Sequence, residues 1–289
     1  MSNIPSRQHT IKNTVHLSGV GLHSGKSATI SLYSAPIHSG IIFRRTDLSP
    51  PKEIKICHDK MSESPLCSKL VEEDVSIQTV EHLLSALAGK EIDNIVIELN
   101  SDEIPVMDGS ASPFVFLFES AGVLEQDAPR QVLRIKKTIR IEEGDKFVAL
   151  SPFDHYRLEV SIDFDHPSIH HQKIDFDFSV SAYSKQVSRA RTFGMADQLE
   201  GLRQKGLALG ASLKNAVGLS KEGVMNAEGL RAPDEFVRHK LLDAIGDLYV
   251  AGPIEGLYQA HKASHAMNNR LLRALFSDSS AWEWAPNLS

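Results

Sequence analysis

Residues 238–247 read Arg-His-Lys-Leu-Leu-Asp-Ala-Ile-Gly-Asp, so His239, Asp243 and Asp247 recur every four residues. On a helix that spacing puts all three on one face, about 6 Å apart along the axis, with Leu242 and Ile245 as apolar neighbours. On a solvated face such pairs contribute only roughly 0.2–0.5 kcal/mol. The same spacing lets an imidazole nitrogen and a carboxylate oxygen share one cation. A second cluster opens Thr79-Val-Glu-His-Leu-Leu-Ser-Ala-Leu-Ala-Gly89. Glu81 and His82 are adjacent and diverge by about 100° on a helix, and the apolar residues after them point to a buried or cleft-facing pair. If the two helices meet, His82, His239 and Asp243 form a three-ligand centre with one coordination position free, the pattern of a catalytic zinc. Glu81, beside a ligand, is then placed to take a proton from water. His265, at the start of a helix predicted after Lys262-Ala-Ser-His265, is a candidate acid or charge stabiliser. Two histidines and a carboxylate are also the facial triad of non-haem iron oxygenases, and a fourth protein ligand would make the site structural. Hydrolase, oxygenase and metal-stabilised binding module all stay open on spacing alone. His9, His38, His155, His166, His170 and His171 lie in polar stretches and read as solvated surface residues.

Two helices in different parts of the chain must carry these groups. Residues 14–17, 28–33 and 41–45 are β-branched or alternating and punctuated by glycine, so they read as strands. Residues 79–88 form a helix with Gly89 placed to end it; a strand at 94–99 and a second helix at 112–121 follow. Residues 126–130, Gln-Asp-Ala-Pro-Arg, read as a linker. Strands then run through 132–141, 146–150 and 158–164, and a variable helical segment covers 180–203. A strong helix starts at Pro233 with Asp234 and Glu235 in its first turn and Gly252 beyond its end. A strand at 254–260 and a last helix at 265–276 complete the chain. Both halves read strands, helix, strand, helix, so the expectation is an α+β fold of two similar domains, residues 1–125 and 130–289, packed face to face. Apolar residues cluster at 195–219: Met195, Leu199, Leu202, Leu207, Leu209, Leu213, Val217 and Leu219.

The 289 residues include 42% hydrophobic and 24% charged residues, the mix of an ordinary globular protein, which excludes a disordered or low-complexity chain. A net charge of −6 disfavours a broad nucleic-acid face. Cys57 and Cys67 are the only cysteines, neither a disulfide framework nor a zinc motif, and point to a reducing compartment. The first ten residues lack the apolar core of a signal peptide, and no run approaches the ~18 apolar residues of a membrane span. A cytoplasmic monomer without a transmembrane segment or nucleic-acid partner is expected.

The motifs also carry a resemblance over almost the whole chain. Gly19-Val-Gly-Leu-His-Ser-Gly25, Thr79-Val-Glu-His-Leu83, Ile92-Asp-Asn-Ile-Val-Ile-Glu98 and Ile104-Pro-Val-Met-Asp-Gly-Ser110 stand in order. They are followed by Arg189-Ala-Arg-Thr-Phe-Gly194, Asn226-Ala-Glu-Gly-Leu-Arg231 and the stretch from Asp234 to Asp247. In these the sequence resembles the UDP-3-O-acyl-N-acetylglucosamine deacetylases, zinc amidases of bacterial lipid A synthesis. The resemblance implies two α+β domains with the active site between them. It assigns the zinc ligands to His82, His239 and Asp243, with iron as an alternative occupant in the cell. Glu81 matches the general base, His265 the catalytic histidine, Asp247 the carboxylate that orients it, and Thr192 the hydroxyl that meets the oxyanion. Lys240, Lys262, Phe193 and His23 match positions lining the substrate site. The 195–219 insertion, with Leu202 and Leu207, matches a hydrophobic passage for the acyl chain of UDP-3-O-acyl-N-acetylglucosamine. The sequence departs from the family pattern at Ala263 and Ser264, where Ser-Gly is usual, and at Met195, where Phe is usual.

Overall fold

The structure, a computed structural model, describes residues 6–287 other than 63 and 65; residues 1–5 of the N-terminal stretch read above lie outside it. The first half runs β1 (Arg7–Ile11), β2 (Val15–Val20), β3 (Ser27–Ser34), β4 (Ile41–Arg45), β5 (Lys52–Lys55), β6 (Met61–Ser62), β7 (Lys69–Glu72), β8 (Val75–Gln78), α1 (Glu81–Gly89), β9 (Ile95–Leu99) and α2 (Ser112–Ala121). Five of these strands form a sheet in the order β2-β3-β9-β4-β5, with β9 parallel to β4 and every other pair antiparallel. Alternation sets its inner face: Ala28, Ile30 and Leu32 of β3 are buried, with Ile95, Ile97 and Leu99 of β9. The helices cover that face, and every residue of α1 is buried.

The second half runs β10 (Val123–Pro129), β11 (Gln131–Ile135), β12 (Ile139–Glu143), β13 (Lys146–Ser151), β14 (Tyr156–Phe164), β15 (His170–Asp177), α3 (Val180–Gln186), β16 (Phe193–Met195), α4 (Ala196–Gln204), β17 (Val217–Ser220), β18 (Gly223–Val224), α5 (Glu235–Tyr249), β19 (Ile254–His261), α6 (His265–Ser277) and β20 (Trp282–Pro286). Its strands repeat the first pattern as β12-β13-β19-β14-β15, with β19 parallel to β14 and the other pairs antiparallel. In chain order β12, β13, β14, β15, α5, β19 and α6 correspond to β2, β3, β4, β5, α1, β9 and α2. The same topology therefore occurs twice in an α+β fold of sheets layered on helices. The corresponding helices α1 and α5 cross backbone to backbone. A Cβ on Gly246 would lie 2.0 Å from the Glu81 carbonyl oxygen, so only glycine permits this approach.

Three readings of the sequence need correction. Residues 126–130 are no linker: β10 pairs antiparallel with β1, and buried Arg130 is bound by Asp93 and Glu91 at 2.8 Å each. The strand's partner lies more than a hundred residues upstream, beyond any local pattern. The helical segment 180–203 is broken. Ser179 caps α3 by accepting from the Ala182 amide, and the chain then leaves the helix because Arg191 is tied to Glu235 by both its amide and its guanidinium. His166 is buried rather than solvated, with one ring nitrogen on the Ser220 carbonyl at 2.7 Å and the other accepting from the Ser168 amide.

Candidate metal centre and active site

Close packing of α1 on α5 brings His82 beside His239 and Asp243. The two imidazole rings lie 5.1 Å apart at 84°, and Asp243 Oδ1 is 3.6 Å from His82 Nε2 and 3.3 Å from His239 Nε2. All three residues are buried, their donor atoms lie within 4.8 Å of one another, and Asp243 Oδ1 is a buried oxygen without a hydrogen-bond partner. Two imidazole nitrogens gathered around a buried carboxylate oxygen that has no donor of its own fit a divalent cation. The protonation states agree. Burial pushes His239 down to about 3, so its ring is neutral at pH 7, as metal binding requires. Its Nδ1 donates to the Ala190 carbonyl at 3.0 Å, which turns Nε2 toward the centre. Burial acts upward on Asp243, but His239 and Lys240 outweigh it and hold the carboxyl well below the usual range. Lys240 Nζ donates to Asp243 Oδ2 at 2.5 Å.

Beside this cluster Glu81 Oε1 faces His265 Nε2 at 3.9 Å. Burial raises the Glu81 carboxyl above its ordinary value. Burial would lower His265, but the neighbouring Asp247 carboxylate reverses that and takes it up to about 9. Asp247 lies on α5 one turn beyond Asp243 and accepts from His265 Nδ1 at 2.9 Å. A buried carboxyl of raised proton affinity and a protonated imidazole thus stand together beside His82, His239 and Asp243.

These groups open into a cavity of about 450 Å³ lined by Glu81, His82, His239, Asp243 and His265 together with Thr192, Phe193 and Lys240. A family model described as UDP-3-O-acyl N-acetylglycosamine deacetylase matches residues 8–277. The chain belongs to this family. Among relatives named UDP-3-O-acyl-N-acetylglucosamine deacetylase, one from Stenotrophomonas maltophilia (strain K279a) is 51% identical over 96% of this chain and 93% of its own. Those from Xylella fastidiosa (strain Temecula1) and Cellvibrio japonicus are each 50% identical over the same shares. The family's members are metalloenzymes.

Most residues carried over from the family motifs meet at this cavity. Thr192 is held by its amide on the Gly109 carbonyl at 2.8 Å. Phe193 packs edge-on to Phe236 and His239, with Lys240 Nζ 5.9 Å from its ring centroid, within cation–π range. Lys262 also lines it, its amine on Asp145 at 2.6 Å. Ser264 needs no glycine conformation: its backbone is extended and its hydroxyl caps α6 by accepting from the Met267 amide. Four candidates lie apart from the cavity wall, Asp247 among them, behind His265. Buried His23 stands behind it, its carbonyl receiving the Leu209 amide at 3.0 Å. Leu202 and Leu207 lie on α4 and the turn after it, half-buried.

The sequence reading missed Lys146, Asp163 and Phe164, which line the cavity from β13 and β14. It also missed Glu103. This fully buried carboxylate accepts from the His23 and Ser24 amides and the Thr79 hydroxyl, pinning the loop of residues 19–25 to the start of α1. A Cβ on Gly21 would meet Glu103 Oε2 at 2.2 Å, so this contact requires glycine there.

Proposed function

We propose that this chain hydrolyses the N-acetyl amide of UDP-3-O-acyl-N-acetylglucosamine, releasing acetate and UDP-3-O-acyl-glucosamine, a committed step of lipid A synthesis, with zinc held by His82, His239 and Asp243. The observation that carries the reading is the Glu81–His265 pair beside a three-ligand set inside one cavity. Zinc there supplies Lewis acidity toward the acetamide carbonyl and the attacking water. Glu81, its carboxyl raised by burial, takes the water proton. The Thr192 hydroxyl donates to the developing oxyanion. His265, kept protonated by Asp247, stabilises that charge and passes its proton to the leaving amine as the C–N bond breaks. Lys240, Lys262 and Phe193 hold the sugar nucleotide, and His23 supports the wall behind it.

The acyl chain is assigned to the segment 195–219. Helix α4 contains no fully buried residue, yet carries Leu199 and Leu202 on its half-buried side, while Leu209 and Leu213 beyond it are 48% and 44% exposed. An apolar surface left uncovered by its own fold suits a hydrocarbon chain. No helix among the described residues is long and apolar enough to cross a membrane, and both cysteines are free, consistent with the proposed cytoplasmic setting. Acetate release from UDP-3-O-acyl-N-acetylglucosamine tests the activity. The zinc-loaded chain should release it stoichiometrically with free amine; no acetate from that substrate would contradict the reading.

A further inference from the structure

Ser68 is a buried residue that touches both the base and the acid's partner. Its amide donates to Glu81 Oε2 at 3.0 Å and its hydroxyl donates to Asp247 Oδ1 at 2.5 Å. The hydroxyl oxygen also lies 3.5 Å from His265 Nδ1, whose proton is directed at the Asp247 carboxylate. The other oxygen of that carboxylate, Oδ2, accepts from Asn268 Nδ2 at 2.8 Å, and Asn268 is itself fixed by the Tyr258 hydroxyl at 2.6 Å. Each Asp247 oxygen therefore carries one neutral donor besides the shared imidazole. A carboxylate held on both oxygens cannot turn about its Cβ–Cγ bond without breaking a charge-assisted hydrogen bond.

We propose that Ser68 is a positioning residue for the hydrolysis, fixing the Asp247 carboxylate that aims His265 while its amide fixes Glu81. The inference rests on the acid–base reading of Glu81 and His265 given above. Ser68 precedes β7 in the first half of the chain, whereas Asp247 and His265 belong to the second. One residue thus sets the spacing of base and acid across the junction, and the 3.9 Å between Glu81 Oε1 and His265 Nε2 depends on it. A displacement of even a fraction of an ångström at such a pair is felt in the rate rather than in substrate affinity.

The test is acetate release by the zinc-loaded full chain. Ser68→Ala keeps the amide bond to Glu81 and leaves Asp247 with Asn268 and His265, so no buried charge is orphaned. It should lower kcat about tenfold with KM and metal content unchanged. Ser68→Thr should restore the rate and Ser68→Val, its isostere without the hydroxyl, should not; this pair carries the test if the alanine variant does not fold. In an Asp247→Ala background Ser68→Ala should cost nothing further. An unchanged kcat in Ser68→Ala, equal rates for Thr and Val, or a full additional loss in the Asp247→Ala background overturns the proposal. Glu81→Gln and His265→Ala, run alongside, separate the two readings. Full activity in either sinks the acid–base assignment and this inference with it. Their inactivity beside a fully active Ser68→Ala overturns the inference alone.

Discussion

Glu81 and His265 face each other with both proton affinities raised, the first by burial and the second by Asp247 in spite of burial. For His265 the folded value of about 9 lies above the ordinary 6.5, so folding favours its protonated form. Its stabilising contribution is complete below 6.5 and is lost as pH rises through about 9. Activity should fall as pH rises through about 9, as a limb belonging to the coupled site rather than to one residue. The kcat profile of His265→Ala should lack that limb; a parent profile that stays flat through about 9 contradicts the assignment. Glu81→Gln should keep its metal and lose at least ~10²-fold in kcat, measured by metal analysis beside acetate release. Much of this was legible in residue types. The four-residue period of His239, Asp243 and Asp247 and the pairing of Glu81 with His82 are local patterns. Ser68 and Glu103 were not, because they act through amides and a lone hydroxyl or carboxylate met only after folding, and such contacts have no period.

Between elements, the site depends on how closely α1 can approach α5. Gly246 faces the Glu81 carbonyl, and an added Cβ at 2.0 Å would force the helices apart. Gly246→Ala should cost about 1–3 kcal/mol as overpacking and weaken metal binding, since His82 would withdraw from His239 and Asp243. Thermal unfolding and a zinc titration check this together; parental values in both would show that the crossing does not set the ligand distances. The helices carrying the site were readable from their apolar residues, the acidic first turn of α5 and Gly252 beyond its end. What failed was of another kind. Strand β10 takes its form from β1, and the break after α3 comes from the Arg191–Glu235 bond across 44 residues, neither visible in a local window.

At the scale of the whole molecule, one topology used twice places two equivalent helices in contact, and the three candidate metal-binding residues come from both. The repeat was readable as an order of elements, while the pairing that proves it, β19 on β14 as β9 on β4, was not. The segment 195–219 extends the second copy with apolar surface. If it takes the acyl chain as proposed, each methylene it covers would contribute up to about 0.8 kcal/mol, binding energy remote from the amide. UDP-N-acetylglucosamine without the 3-O-acyl group should therefore be deacetylated at least ~10³-fold less efficiently in kcat/KM, or roughly 4 kcal/mol. Leu202→Asp or Leu207→Asp should narrow the gap with metal content intact; equal kcat/KM for the two substrates would make the segment ordinary packing.

The most direct test of the account is the metal content of the purified chain beside that of His82→Ala, His239→Ala and Asp243→Ala. All four are loaded with zinc, dialysed and assayed for acetate release. Stoichiometric zinc is expected in the parent, with loss of both metal and activity in each variant. Full zinc retention in all three variants would contradict this.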